Sequence, residues 1–314
     1  MGITNFPNGV SSYGAPVLPG VDSGVIAGNV FFVGATAGAS WIAGVDAADY
    51  GTKQKPFATV DYAIGRCTAN NGDVIYVLPG HTESLIAAGT ITCDIAGVSI
   101  IGLGNGNARP TFTWATSTAA CWNISAANVT VKNIRCTTSI DELVKLFYVT
   151  AAGVTLDKVD YTQGASAQAL QFILTTNAAD QLTVKNCFHY QHTATAGNTI
   201  WIQLVGTDHS KILNNTIWIT AKAATTSICI SGSTAVVGAE IVGNRIAWLG
   251  ATITSIINLV TTSTGIITDN RCFGGAAVVL AAAITGDACY MAENYVSNTA
   301  AGSGALAPAA DTVT

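Results

Sequence analysis

Along most of the chain the apolar residues fall in short runs of three to seven, rich in Val, Ile and Thr, in which alternate positions are apolar. This period of two predicts β-strands, and no stretch has the three-and-four spacing of a long amphipathic helix. One run recurs, an apolar strand followed by a marked polar residue and another apolar position: Val129–Ile134, Val154–Val159, Leu182–Cys187, Ile212–Ile217, Ile241–Ile246, Ile267–Cys272 and Met291–Val296. The marked residues are Asn133, Lys158, Asn186, Asn215, Asn244, Asn270 and Asn294, at intervals of 25, 28, 29, 29, 26 and 24 residues. Weaker copies lie at Val74–Leu78 and Val98–Leu103.

A second set of strand-like runs separates the copies: Leu143–Val149, Leu170–Leu174, Ile200–Val205, Ile228–Ile230, Ile256–Val260 and Val278–Ile284. Each repeat therefore supplies at least two strands, and a chain advancing one turn per repeat is a parallel β-helix, here an all-β solenoid of about nine coils. In such a stack equivalent residues sit about 4.8 Å apart, so the marked Asn residues are expected to form one hydrogen-bonded lane. The preceding position reads Lys132, Asp157, Lys185, a candidate ladder of alternating charge.

Composition follows from that stacking. Only 10% of residues are charged against 49% hydrophobic, because a like-charged lane repels at every rung. The net charge of -5 and the absence of a Lys/Arg cluster argue against nucleic acid as a partner. No apolar run reaches the length of a membrane span, and the start of the chain shows no signal-peptide pattern. Eight cysteines, with no zinc-ligand spacing, are expected as reduced, buried small hydrophobes of a protein folded in a reducing cytoplasm.

The ends differ from the middle. Residues 56–67 are expected to form a helix covering the first coil, with Phe57, Val60, Ile64 and Cys67 on one face. Residues 29–71 thus form a capping unit of strand, loop and helix, and residues 72–299 form the coils. Residues 1–28 are an extended arm whose Ile3, Phe6, Tyr13, Val17 and Leu18 offer apolar anchors to a partner. Residues 300–314 are a thinly packed tail.

Candidate chemistry is sparse. Glycan cleavage needs paired carboxylates or an acidic calcium cluster, and the one pair on adjacent repeats is Asp180 and Asp208, for which a turn role serves equally well. Asp94, Asp141, Glu142, Glu240, Asp269, Asp287 and Glu293 are scattered. His81, His189, His192 and His209 share no repeat position; His189 and His192 are expected in solvent rather than on a metal. The glycines 102, 104 and 106 are expected as turn residues rather than a phosphate loop. No catalytic residue, cofactor or metal is assigned. Tyr190, Trp218, Trp248 and Phe273 follow the marked residues by three or four and are expected to stack, either in the core or, if exposed, as a subunit face or sugar platform; Trp201 joins Trp218 and Trp248 as a candidate for that face.

The stretch Gly51, Thr52, Pro56–Thr59, Ala63, Gly72–Val77 and Pro79–Gly80 resembles the opening of pectate-lyase-like β-helix domains, which implies a right-handed solenoid. Ile3–Ser12 followed by Gly28–Val33 is similar to the start of tailed-bacteriophage virion structural proteins. That resemblance implies a noncatalytic virion protein, a homotrimeric capsid decoration or knob fastened by its arm to major capsid protein or another virion protein. The alternatives are a tailspike-like polysaccharide hydrolase or lyase, or a module that binds a host surface glycan.

Overall fold

The structure is a computed structural model that describes residues 10–12, 15–17, 28–163, 168–190, 199–220, 227–249, 255–300 and 305–307. Ile3, Phe6, Tyr13 and Leu18 lie outside the described residues. Val17 ends a short strand, Ala15–Val17, that pairs antiparallel with Val10–Ser12.

The repeat folds as its spacing predicts, into a parallel β-solenoid whose walls run along three faces. The first face is built from Val74–Val77, Ser99–Gly102, Thr130–Lys132, Thr155–Asp157, Thr183–Lys185, Lys211–Leu213 and Ala239–Val242. The second runs from Thr82–Leu85 through Thr111–Trp114, Arg135–Thr138, Asp160–Thr162, Phe188–Tyr190, Thr216–Thr220, Arg245–Leu249 and Arg271–Gly274 to Asn294–Asn298. The third runs from Ala88–Cys93 through Cys121–Ile124, Leu143–Val149, Ala169–Thr175 and Ile200–Val205 to Ile228–Thr234. A long strand, Ile257–Thr268, serves both the first and the third face and joins them.

A tight turn links the first face to the second, and one residue in each copy takes the left-handed conformation: Asn133, Lys158, Asn186, Asn214, Gly243, Asp269 and Glu293, with φ between 53 and 69°. Asn, Gly and Asp tolerate that region best. This turn marks about seven regular coils, slightly fewer than the nine read from the sequence. Upstream the same connection is longer, and its glycines are turn residues as expected: Gly104 and Gly106 have positive φ, and Gly102 is also held by close packing. A Cβ on Gly102 would lie 2.1 Å from the Asn133 carbonyl oxygen, and the Asn133 side-chain amide donates to the carbonyls of Gly102 and Gly104 at 2.7 and 3.1 Å.

The Asn lane is real but is two lanes. Register places Asn133, Lys158, Asn186 and Asn214 together at the left-handed position. The next position inward reads Ile134, Val159, Cys187, Asn215, Asn244, Asn270 and Asn294, consistent with the pairing of Arg135 with Asp160, Phe188, Thr216, Arg245, Arg271 and Tyr295. From Asn215 onward the polar residue has moved one place into the core, where all four amides are fully buried. Asn215 Nδ2 donates to Asn244 Oδ1 at 2.9 Å, Asn244 Nδ2 to Asn270 Oδ1 at 2.9 Å, and Asn270 Nδ2 to Asn294 Oδ1 at 3.0 Å. Each amide also donates to a main-chain carbonyl, of Val184, Ile212, Ile241 and Ile267 in turn. Every side-chain polar atom of Asn244 and Asn270 is thereby satisfied.

The charge ladder holds over one step. Lys132, Asp157 and Lys185 are in register, Lys132 Nζ lies 3.5 Å from Asp157, and the other Asp157 oxygen accepts from Asn186 at 2.9 Å.

The covering helix is shorter than expected, Val60–Ile64, with the Thr59 hydroxyl accepting the Tyr62 N–H. Phe57 instead pairs in parallel with Val33, drawn by main-chain bonds to Phe32 and Gly34, and its ring is buried against Phe31 and Tyr62. A buried relay fastens this cover. The Ala35 N–H donates to His81 Nδ1 at 3.0 Å, which leaves the proton on Nε2 to face Glu83 at 3.1 Å, and the same Glu83 oxygen accepts the Val60 N–H at 3.0 Å. Beside it, burial opposes ionisation of Asp73, but the N–H groups of Thr68 and Asn29 and the Asn71 amide outweigh it and hold the carboxyl below its ordinary value.

At the other end the expected strand over residues 278–284 begins only at Ile284, after a 3₁₀ turn at Leu280–Ala282. No cysteine is in a disulfide; burial pushes the thiols of Cys93, Cys187 and Cys272 up to about 12, so they are unreactive packing atoms.

Candidate functional site

The strand period decides which aromatic residues reach the surface. Tyr190 stands opposite Trp218, Trp218 opposite Ala247, and Ala247 opposite Phe273, so these share one outward lane of the second face. Trp248 pairs with Ile219 and Gly274 and points inward. It follows its marked Asn by four residues where Trp218 follows by three, and a one-residue offset reverses the face. Trp218 is 59% exposed, Tyr190 44% and Phe273 40%, whereas Trp201 and Trp248 are fully buried. Trp201 lies flat on Phe172, ring centres 5.2 Å apart and 6° from parallel. Trp218 alone of the three tryptophans is a surface candidate; the other two belong to the core. Trp248→Ala is expected to destabilise by about 4 kcal/mol through the cavity it leaves, and Trp218→Ala by less than about 0.5 kcal/mol; thermal unfolding of the two variants checks both.

A second outward lane runs beside the first: Arg135, Asp160, Phe188, Thr216, Arg245, Arg271 and Tyr295. Its early rungs are neutralised, because Arg135 stands opposite Asp160 and Arg109 forms an ion pair with the same carboxylate. Burial still holds the Asp160 carboxyl above its ordinary value despite both cations. Phe188 stacks on Tyr190 at 6.4 Å.

A polar cleft of about 490 Å³ opens at the edge of the first face, lined by Asn128, Gly153, Thr155, Gln181, Thr183, His209 and Lys211. Two lanes build it. Thr155, Thr183 and Lys211 are outward, in-register residues of successive strands. Asn128, Gly153, Gln181 and His209 occupy the left-handed position of the turn before each strand, linked rung to rung by main-chain bonds. Gly153 is required there: a Cβ would lie 2.3 Å from the Asn128 side-chain oxygen. Gly238 stands in the same relation to His209, with its Cβ position 3.0 Å from the ring. Small and large residues thus alternate along part of this lane, with Asn128 over Gly153 and His209 over Gly238.

Lys211 reaches Glu240 on the next strand at 3.0 Å, both about half exposed, so water screens the pair and the ammonium can be shared with a ligand. Asp180 and Asp208 do fall on adjacent coils, immediately before Gln181 and His209, but the Asp180 carboxylate accepts the Asp208 N–H at 2.8 Å. That is a turn-stabilising contact, and neither carboxylate lines the cleft. The expectation of a solvated His189 is corrected: the ring is fully buried against Tyr161, ring centres 4.3 Å apart, and neither nitrogen has a partner. Burial alone pushes its pKa down to about 3. His192 lies outside the described residues. Among the described residues no three potential metal ligands come together, and no helix is long and apolar enough to cross a membrane.

No family model matches the chain, and no curated protein matches it. Among solved structures it is similar to a rhamnogalacturonan lyase, with 14% identity over 78% of this chain and 74% of that one and a TM-score of 0.48. It is also similar to GH136 lacto-N-biosidase from Eubacterium ramulus, with 11% identity over 85% and 68% and a TM-score of 0.38. Both neighbours are carbohydrate-active enzymes, against the expectation that the chain is not an enzyme. The likeness itself is one of fold and assigns no activity to these residues.

Proposed function

We propose that this chain is a tailspike-like enzyme that cleaves an acidic polysaccharide by β-elimination in the cleft between Asn128 and Lys211. The observation that carries the reading is the composition of that cleft. It offers one imidazole, His209, and one ammonium, Lys211, set two residues apart on the rim, with amides and hydroxyls across the neighbouring rungs. Hydrolysis would call for two carboxyl groups facing the scissile bond, and none lines the cleft. Elimination calls for a base and a cation, and both are present.

In this scheme the Lys211 ammonium turns from Glu240 to the uronate carboxylate and stabilises the negative charge that develops on it. His209 removes the proton beside that carboxylate. The electron pair released forms a carbon–carbon double bond as the bond to the glycosidic oxygen breaks, and the departing oxygen takes a proton from water. Gln181, Thr155, Thr183 and Asn128 hydrogen-bond the sugar hydroxyls on either side. The reading includes carriage on a phage particle: the resemblance of Ile3–Ser12 and Gly28–Val33 to virion proteins supports an arm that docks through Ile3, Phe6, Tyr13, Val17 and Leu18.

Incubation with polygalacturonate, alginate and hyaluronan, followed by the ultraviolet absorbance of the unsaturated product, tests the chemistry. His209→Ala should lower the rate by roughly 100-fold or more, and Lys211→Met by a similar factor with the fold intact. New reducing ends without ultraviolet absorbance would mean hydrolysis instead, and no cleavage of any of the three polymers would refute the assignment.

A further inference from the structure

Three cations in the lanes of this solenoid have an acid across from them on the adjoining coil. Lys132 faces Asp157, Lys211 faces Glu240, and Arg135 faces the Asp160 that Arg109 also holds. Arg245 and Arg271 have no such acid: their register neighbours are Thr216, each other and Tyr295. They stand directly opposite each other on adjacent strands of the second face, both exposed, and among the described residues neither makes an ion pair or hydrogen bond through its guanidinium. Like charges in register repel, and the folded chain leaves the repulsion uncompensated.

What surrounds the two guanidiniums is not a generic polar surface. In the parallel lane beside them Trp218 and Phe273 flank Ala247, which is 7% exposed at the floor between them. The two rings lie two rungs apart, about 9.6 Å, on either side of this small residue. Tyr295 extends the same face by one more rung beyond Arg271.

We propose that this surface, Trp218, Arg245, Ala247, Arg271 and Phe273, binds an acidic polysaccharide. Carboxylate or sulfate groups along the polymer supply the anions that the Arg pair lacks, in the bidentate geometry a guanidinium favours. The aromatic rings accept the flat carbon–hydrogen faces of the sugar units between those groups. A regular polymer suits a surface whose own positions repeat every 4.8 Å or so. The site lies on a different face from the His209 cleft and does not depend on the elimination chemistry.

Native electrophoresis through gels carrying polygalacturonate, alginate or dextran sulfate, against gels carrying neutral dextran, tests it. The chain should be retarded by at least one acidic polymer and not by dextran, with retardation falling as salt rises. Arg245→Gln with Arg271→Gln, and separately Trp218→Ala, should each weaken the interaction roughly tenfold without lowering the thermal midpoint appreciably. His209→Ala should be retarded like the wild type, so a failed cleft and a failed face are told apart. Equal retardation by dextran, no retardation in any acidic gel, or an unchanged double variant overturns the proposal. So does a self-associating wild type that Trp218→Ala converts to monomer without any loss of retardation, since the face would then be covered by a second copy.

Discussion

Replacing Asn215 by Ala is expected to destabilise the protein by about 4 kcal/mol and to lower the thermal midpoint by roughly 10 °C, whereas Asn214→Gly, one residue away, should leave both almost unchanged. The two asparagines differ only in register. Asn215 is fully buried; its oxygen accepts the Cys187 N–H at 2.9 Å, and its amide donates to Val184 and Asn244. Alanine would strand a buried donor at Cys187 and deprive a buried carbonyl at Val184, and each such loss costs about 1 to 3 kcal/mol. Asn214 is exposed at φ 54°, a conformation glycine adopts without strain, so its loss removes nothing the fold needs. Calorimetric unfolding of the two variants is the measurement. Comparable destabilisation by both would mean that the inner amide lane contributes no more than a surface turn.

Acidification should weaken the solenoid through His189, and His189→Leu should remove that part of the pH dependence. The buried ring has a pKa near 3 against an ordinary value of 6.5, so the unfolded chain binds a proton between those values and the folded chain does not. Stability from this residue is therefore complete above pH 6.5 and falls as the pH drops, by about 3 kcal/mol at pH 4. The leucine variant should unfold at the same or higher temperature at pH 7, because two unpartnered ring nitrogens leave the core. Midpoints recorded from pH 7 to pH 4 should fall less steeply in the variant. Parallel slopes would assign the acid sensitivity to other groups; Asp73, whose pKa is lowered, loses its contribution only at still lower pH.

The strand period, the stacking repeat and the left-handed Asn turns were all legible in the residues. What misled was the assumption that the marked residue keeps its place. Between Asn186 and Asn215 the spacing is 29, but the coils there advance by 28, from Asn186 to Asn214. The side-by-side asparagines at 214 and 215 let the polar position step inward unseen. The same step puts Tyr190, four residues past Asn186, in the outward lane of Trp218, three past Asn215, whereas Trp248, four past Asn244, faces inward. Trp201 misled for another reason, since an indole in a strand beside Gln203 carries no mark of whether it faces in or out until the ring of Phe172 is seen beneath it. The His209–Lys211 cleft was not found at all. Its members are chemically ordinary and separated along the chain by whole repeats, and the signal that could have found it is positional. A residue one place after Asp180 and one after Asp208 had to be recognised as the same site on successive coils. The unpaired Arg245 and Arg271 were visible one position after Asn244 and Asn270, but only the pairing of other cations with acids gives their isolation meaning.

The last strand to be described, Ala305–Ala307, lies against Asn294–Asn298 in the antiparallel sense, the reverse of every other neighbour on that face. A growing stack is copied from its own exposed rim, and here the reversed strand already occupies the edge of Asn294–Asn298 that a further forward coil would pair with. Lengthening such a rod by design would therefore have to proceed from within, by duplicating a whole internal unit between the helix and the reversal, rather than by appending units to its terminus.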